Sequence, residues 1–327
     1  DGEQHLDASS SVREHLHTRL ALLPVDETQV EDLYGQLLTV APHALPVVQD
    51  ALAPYADQLV PQLWDVLDAD DPEGLSRQLR AAATLASYDP DGERWSSAAD
   101  KVAGMLVSVP AVHLSMWMEG LRPARRHLQP ALARIYRDPE GEDIARSMAT
   151  DILVDFASDQ PETLVSLLMD ADERQFQIIY PLVETHADET MPLLEAEAHG
   201  FPSAGSEDAP TGVSSVERQA NAAVALLRMG QVDMVLPFLR HSPDPELQSL
   251  LIEWMLPRGV PARVPATRFL TESDPSIRRG LLLALGNCRP DQLGRRRRKA
   301  SEDLLEAFRS TPDAGLRSSA EWLLRKW

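Results

Sequence analysis

Cysteine occurs once in 327 residues, at Cys288, so no intrachain disulfide staples this fold and its stability must come from packing. Lysine is almost missing: Lys101, Lys299 and Lys326 stand against 28 arginines, a bias best attributed to a GC-rich genome before any function. Aromatic residues make up only 5% of the chain and β-branched runs are scarce, which removes the usual material of sheets. No apolar run approaches the roughly 20 residues needed to span a bilayer; Leu281 to Leu285, beside a helix, is far short of it. No signal peptide is visible either, which leaves the compartment open with the cytoplasm favoured. The start at Asp1 without Met reads as an excised fragment or the ordered part of something longer. Basic charge is short as well. The chain carries 31 Lys and Arg against 51 Asp and Glu, a net charge of −20, and residues 1 to 200 alone hold 36 acids and 13 bases. Such a surface repels phosphate backbones and argues against nucleic-acid binding; a basic or amphiphilic protein partner fits it better.

What is abundant is apolar content, at 43%, and proline, at 25 residues. Four Asp-Pro pairs, Asp71-Pro72, Asp138-Pro139, Asp244-Pro245 and Asp274-Pro275, precede segments rich in Leu and Ala. Asp is a strong N-cap, and Pro suits the first helical position, so each pair is expected to start a helix. The intervals of 67, 106 and 30 residues fit whole numbers of a unit of roughly 30 to 40, the length of a helical-hairpin repeat. Two stretches align as first helix, turn and second helix: Leu59-Val60-Pro61-Gln62-Leu63 before Asp71, and Leu128-Gln129-Pro130-Ala131-Leu132 before Asp138. The predicted second helices carry apolar stripes at helical spacing: Leu79, Ala82, Ala83 and Ala86; Ala145, Ala149, Ile152 and Leu153; Ala220, Ala223, Val224 and Leu227; Ile277, Leu281, Leu282 and Leu285. The pattern lapses over about 199–215, a Gly, Ser and Pro stretch beginning His199-Gly200-Phe201-Pro202. It reads as an exposed insertion inside one array, 1–327.

The last fifteen residues, Asp313-Ala314-Gly315-Leu316-Arg317-Ser318-Ser319-Ala320-Glu321-Trp322-Leu323-Leu324-Arg325-Lys326-Trp327, are the most distinctive. With Gln219 to Leu227, His241-Ser242-Pro243-Asp244-Pro245 and Arg279 to Gly286, they resemble the HEAT-like arrays of large planctomycete-type bacterial proteins. In those proteins a Ser/Thr kinase domain precedes the array and a formylglycine-generating-enzyme-like (sulfatase-modifying) domain follows it. The resemblance covers roughly residues 25 to 327 and implies the middle of a signalling or modifying protein. The motifs of the flanking enzymes do not occur here: the chain has no Gly-rich phosphate loop, no His-Arg-Asp or Asp-Phe-Gly triplet and no cysteine pair, so no catalytic residue is carried over. The expected fold is all-α, a right-handed α/α superhelix (solenoid) of HEAT-like hairpins with about 18 short helices, first helices convex and second helices concave.

Candidate sites are few. His15 and His17 diverge by about 200° on a helix and cannot share a metal. Asp68, Asp70, Asp71 and Glu73 lack the alternating ligand pattern of a calcium loop and suit turn and cap duty. Cys288 follows an apolar helix, where the macrodipole raises rather than lowers a thiol pKa. The basic run Arg295, Arg296, Arg297, Arg298 and Lys299 suits docking to an acidic surface or a solvated loop. Trp322 lies off the stripe of Leu316, Ala320, Leu323, Leu324 and Trp327, which makes Trp322 and Trp327 candidates for partner docking. No cofactor or metal is expected. The functional expectation is a non-catalytic interaction scaffold or spacer for a partner or flanking catalytic domains. The alternatives are an enzyme on a HEAT-like scaffold, of base-excision glycosylase or chromophore-lyase type, and a ligand-binding regulatory segment.

Overall fold

A computed structural model describes residues 18–23, 25–71, 74–200, 213–288, 293–294 and 297–327, the side chain of Arg297 excepted. Among them there is no strand, and 77% of the structure is helical. The chain divides into two compact units, Asp1–Phe156 and Ala157–Trp327.

Unit 1 begins with α1 (Gln29–Leu37). It continues through α2 (Leu45–Leu52) and α3 (Ala56–Asp68), then α4 (Leu75–Tyr88), α5 (Trp95–Val107), α6 (Ala111–Leu121), α7 (Arg125–Arg137) and α8 (Asp143–Phe156). Helices α2 and α3 are two pieces of one rod, interrupted by the 3-10 turn Ala53–Tyr55, and α6 and α7 are split likewise by Arg122–Ala124. Pro54 and Pro123 sit in these turns; a proline supplies no amide hydrogen to the preceding turn and its ring crowds that turn's carbonyl, so the helix breaks there. Hairpins form between α3 and α4 and between α7 and α8, while α4 packs on α6 and α5 on α7.

Unit 2 runs α9 (Pro161–Met169), α10 (Glu173–Thr185), α11 (Ala187–Ala198), α12 (Ser215–Arg228), α13 (Val232–Val235) with the 3-10 turn Leu236–Leu239, then α14 (Glu246–Trp254), α15 (Arg263–Thr271), α16 (Pro275–Leu285), α17 (Arg297–Ser310) and α18 (Ala314–Lys326). Hairpins join α11 to α12, α15 to α16 and α17 to α18, and the second helices α12, α14, α16 and α18 stack in sequence. The chain is thus a helical repeat solenoid of neighbouring pairs, as its periodicity predicts. The predicted stripes are buried throughout apart from the half-buried Ala145. Second helices begin at intervals of 68 and 72 residues from α4 to α12, then 31, 29 and 39 from α12 to α18. The longer spacing arises because α5 with α6, and α9 with α10, are interposed between successive hairpins.

A recurrent side chain joins three of the pairs. The fourth residue of α4, Gln78, donates to the Ala69 carbonyl, nine residues back at the end of α3; Arg278 on α16 does the same to Phe269, and Gln248 on α14 to Leu239. Each satisfies a carbonyl that a helix C-terminus leaves without an intrahelical partner. Between successive pairs, surface ion pairs recur at 33 to 35 residues: Arg122 with Asp155, Arg126 with Asp91 and Arg134 with Asp100 in unit 1, and Arg268 with Asp233 and Arg240 with Asp274 in unit 2.

The Asp-Pro pairs need correction. Only Asp274 is the expected N-cap, its carboxylate accepting from the Ser276 and Ile277 amides with Pro275 opening α16. Asp71 and Asp138 lie in β-turns ahead of the second helix, closed by the Gly74 amide on Asp71 O and the Gly141 amide on Asp138 O. Asp244 accepts from the Glu246 amide one residue outside its helix. The Gly of Asp-Pro-Glu-Gly suits the turn in these two, since β-turns favour Pro at the second position and Gly at the fourth; Asp244 lacks that Gly and still stands outside its cap, which Pro245 occupies. Of the expected insertion, 201–212 lies outside the described residues; α11 stops at Ala198 and a capping box between Ser214 and Glu217 starts α12.

Candidate functional site

A groove of about 560 Å³ opens in unit 1, walled by α2, α4 and α6. Its position follows from the broken rods: the break at Pro123 ends α6 after three turns, and α6 crosses α4 closely, for a Cβ on Gly120 would stand 3.2 Å from the Ala83 Cβ. The turn Pro42–Ala44 brings Pro42 and His43 to one edge. Trp117 and Met116 face it from α6, and Ser87 and Ser115 are exposed at its sides.

Polar groups around the groove are largely committed to the scaffold. Gln49 donates to the Thr84 hydroxyl at 2.9 Å, and its own carbonyl accepts from the Tyr88 phenol at 2.6 Å. Burial, and then the Asp50 carboxylate, push the Tyr88 phenol well above the usual tyrosine value. Arg80 stands beside the Trp117 ring, 6.0 Å from its centroid, and donates to Val40 O and Ser76 O. Burial holds its guanidinium below the ordinary arginine value. Glu119 is the one ionisable carboxylate in the lining; its neighbour Arg122 is shared with Asp155.

Unit 2 contains a second concentration of polar groups, and it is solid. Arg218 pairs with both Asp170 and Glu197, whose side chains are 0% and 4% exposed. Asn221 donates to Met169 O and Ala171 O, and Arg258 donates to Asn221 and to Ala171 O. Arg258 also lies over the Trp254 ring at 3.8 Å, and Arg228 over Tyr180 at 3.6 Å. The Tyr180 phenol is raised by burial first and then by its hydrogen bond to Glu184. These groups lock α9, α11, α12 and the turn after α14 together.

The residues proposed from sequence lie in unit 2. Arg295 and Arg296 fall outside the described residues, and Arg297 opens α17. Arg298 and Lys299 occupy the first turn of that helix and pair forward with Glu302 at 3.6 Å and Asp303 at 2.7 Å; the bond to Asp303 raises the lysine pKa. Cations at a helix N-terminus oppose the macrodipole, and the carboxylates one turn on offset that. Trp322 is 42% exposed, as its offset from the stripe predicts, yet its ring lies across Gly286 and under Lys326. Trp327 is half-buried, and its indole nitrogen is buried without a hydrogen-bond partner among the described residues. Cys288 is buried just past the end of α16. His15, His17 and Glu73 lie outside the described residues, while Asp68 pairs with Arg94.

No protein-family model matches the chain, and no curated protein matches it. Among the described residues no helix is long and apolar enough to cross a membrane, and no three His, Cys, Asp or Glu side chains gather as metal ligands.

The groove and the buried Arg218 cluster were both missed in the sequence reading. The groove draws its walls from positions 42 to 123, which no local pattern links. Its one visible signal was proline density, with Pro42, Pro46, Pro54 and Pro123 marking short rods.

Proposed function

We propose that this chain is a non-catalytic scaffold or spacer that holds a protein partner or flanking catalytic domains. The observation that supports this reading most is the destination of the buried polar side chains. Gln78, Arg80, Asn221 and Arg258 spend donors on carbonyls at or just beyond the ends of other helices, and Arg218 pairs with Asp170 and Glu197. Polar groups used this way stiffen the stacking of helices.

The resemblance of its C-terminal segment to bacterial HEAT-like arrays extends the proposal: the flanking domains are a Ser/Thr kinase and a formylglycine-generating-enzyme-like domain of a signalling protein. Trp322, half exposed beside Lys326, supports docking at the last hairpin. Calorimetric titration of the chain with each domain encoded beside it tests the reading. Binding that weakens about tenfold, or 1.4 kcal/mol, on Trp322→Ala is expected. Silent titrations with every such domain, together with substrate turnover by the chain alone, would overturn it.

A further inference from the structure

We infer that the groove of unit 1 receives an extended peptide segment of a partner protein, one that carries Lys or Arg beside apolar side chains. The inference rests on the scaffold reading and names what one of its faces holds.

Three observations point to this chemistry. First, the walls supply apolar contact: Pro42, Pro46, Met116, Trp117 and Pro123 line about 560 Å³. The polar side chains there are His43, Gln49, Ser87, Ser115 and Glu119, of which Gln49 is bonded to Thr84 and Glu119 sits at the rim. With Glu119 the only carboxylate and no Lys or Arg among them, these groups give little to hold a highly charged metabolite, whereas proline and tryptophan surfaces suit the side chains of an extended segment. Second, the exposed charge in the lining is a carboxylate, while the Arg80 guanidinium beside Trp117 is buried and donates to Val40 O and Ser76 O. No Lys or Arg is among the lining residues, the Glu119 side chain is 77% exposed, and Arg122 beside it is divided between Glu119 and Asp155. Asp50, exposed and next in chain to Gln49, adds a further carboxylate, near enough to act on the Tyr88 phenol. Third, the unit as a whole has the same sign, with 26 acids and 12 bases between residues 1 and 156. A cationic segment is therefore drawn towards this unit and anchored by apolar contacts once there.

The probe is a fluorescein-labelled nonapeptide of three Pro-Leu-Arg repeats, read by anisotropy against the intact chain. Two control peptides replace every Arg by Glu or every Leu by Ser. The parent peptide should bind at least about tenfold more tightly than either control, and added salt should weaken it. Ser87→Trp fills the groove from an exposed position, and Glu119→Lys reverses the rim charge. Each should weaken binding about fivefold or more while leaving the thermal melt in place. The inference is overturned if the parent peptide fails to bind at about 1 mM, if the Glu peptide binds equally well, or if Ser87→Trp binds normally, which would show adhesion to the acidic surface at large. A negative result here alongside domain binding that depends on Trp322 removes the groove as a site and leaves the scaffold reading standing.

Discussion

Arg218 is the side chain whose loss should be felt most. It stands between two carboxylates that have almost no contact with solvent, and Arg218→Leu would take the cation they share out of that buried cluster. Breaking a buried ionic group from one side costs about 3 to 5 kcal/mol, so urea unfolding should show a loss of that size. Adding Asp170→Asn and Glu197→Gln should restore part of it. A cost under about 1 kcal/mol, the range of surface pairs, would mean that water reaches the cluster. The tyrosines set a limit at the other end of the pH scale. Tyr88 and Tyr180 are raised above the ordinary phenol value, so the folded state holds those protons more tightly than the unfolded chain does. Their contribution is complete below about pH 10, the unfolded value, and is lost as pH rises through the folded values. Absorbance at 295 nm should show these two phenols ionising together with loss of helix, and Tyr88→Phe with Tyr180→Phe should move that loss to higher pH. Ionisation of all five tyrosines before any loss of helix would contradict this.

Among the elements, turns and caps differ in what they contribute. Asp274 is a working N-cap and Asp138 a turn residue, so Asp274→Ala should cost about 1 kcal/mol and Asp138→Ala distinctly less, in thermal or urea unfolding. Equal costs would put both back in the same role. Gln78→Ala should cost only about 0.5 to 1.5 kcal/mol, the net worth of one hydrogen bond, because Lys101 Nζ also donates to the Ala69 carbonyl at 2.7 Å and keeps it partnered. Helix identity was legible in the sequence because stripes such as Leu79, Ala82, Ala83 and Ala86 repeat with the helical period and are buried where that period puts them. The Asp-Pro pairs were half legible: cap and turn use the same two residues, and while a glycine two positions after the proline goes with the turn at Asp71 and Asp138, Asp244 misses its cap without one. The broken rods carried a sign in Pro54 and Pro123, but where α6 comes to lie against α4 depends on packing between segments far apart in sequence. The Arg218 cluster left no local sign, since Asp170, Glu197 and Arg218 read individually as surface charges.

For the molecule as a whole, repeats that touch mainly their neighbours unfold with less all-or-none character than a single core. Chemical denaturation followed by circular dichroism and by tryptophan fluorescence should give transitions that do not coincide. Arg218→Leu should shift only the one that belongs to Ala157–Trp327. Coincident transitions that move together would show a single cooperative unit instead. The interrupted rods of unit 1 carry a mechanical consequence. At Pro54 and Pro123 the chain has no amide hydrogen to lose, so flexing there sacrifices no bond from those residues. A load drawn along unit 1 should then be met first at these two joints, as a reversible extension in force spectroscopy that precedes the release of any hairpin.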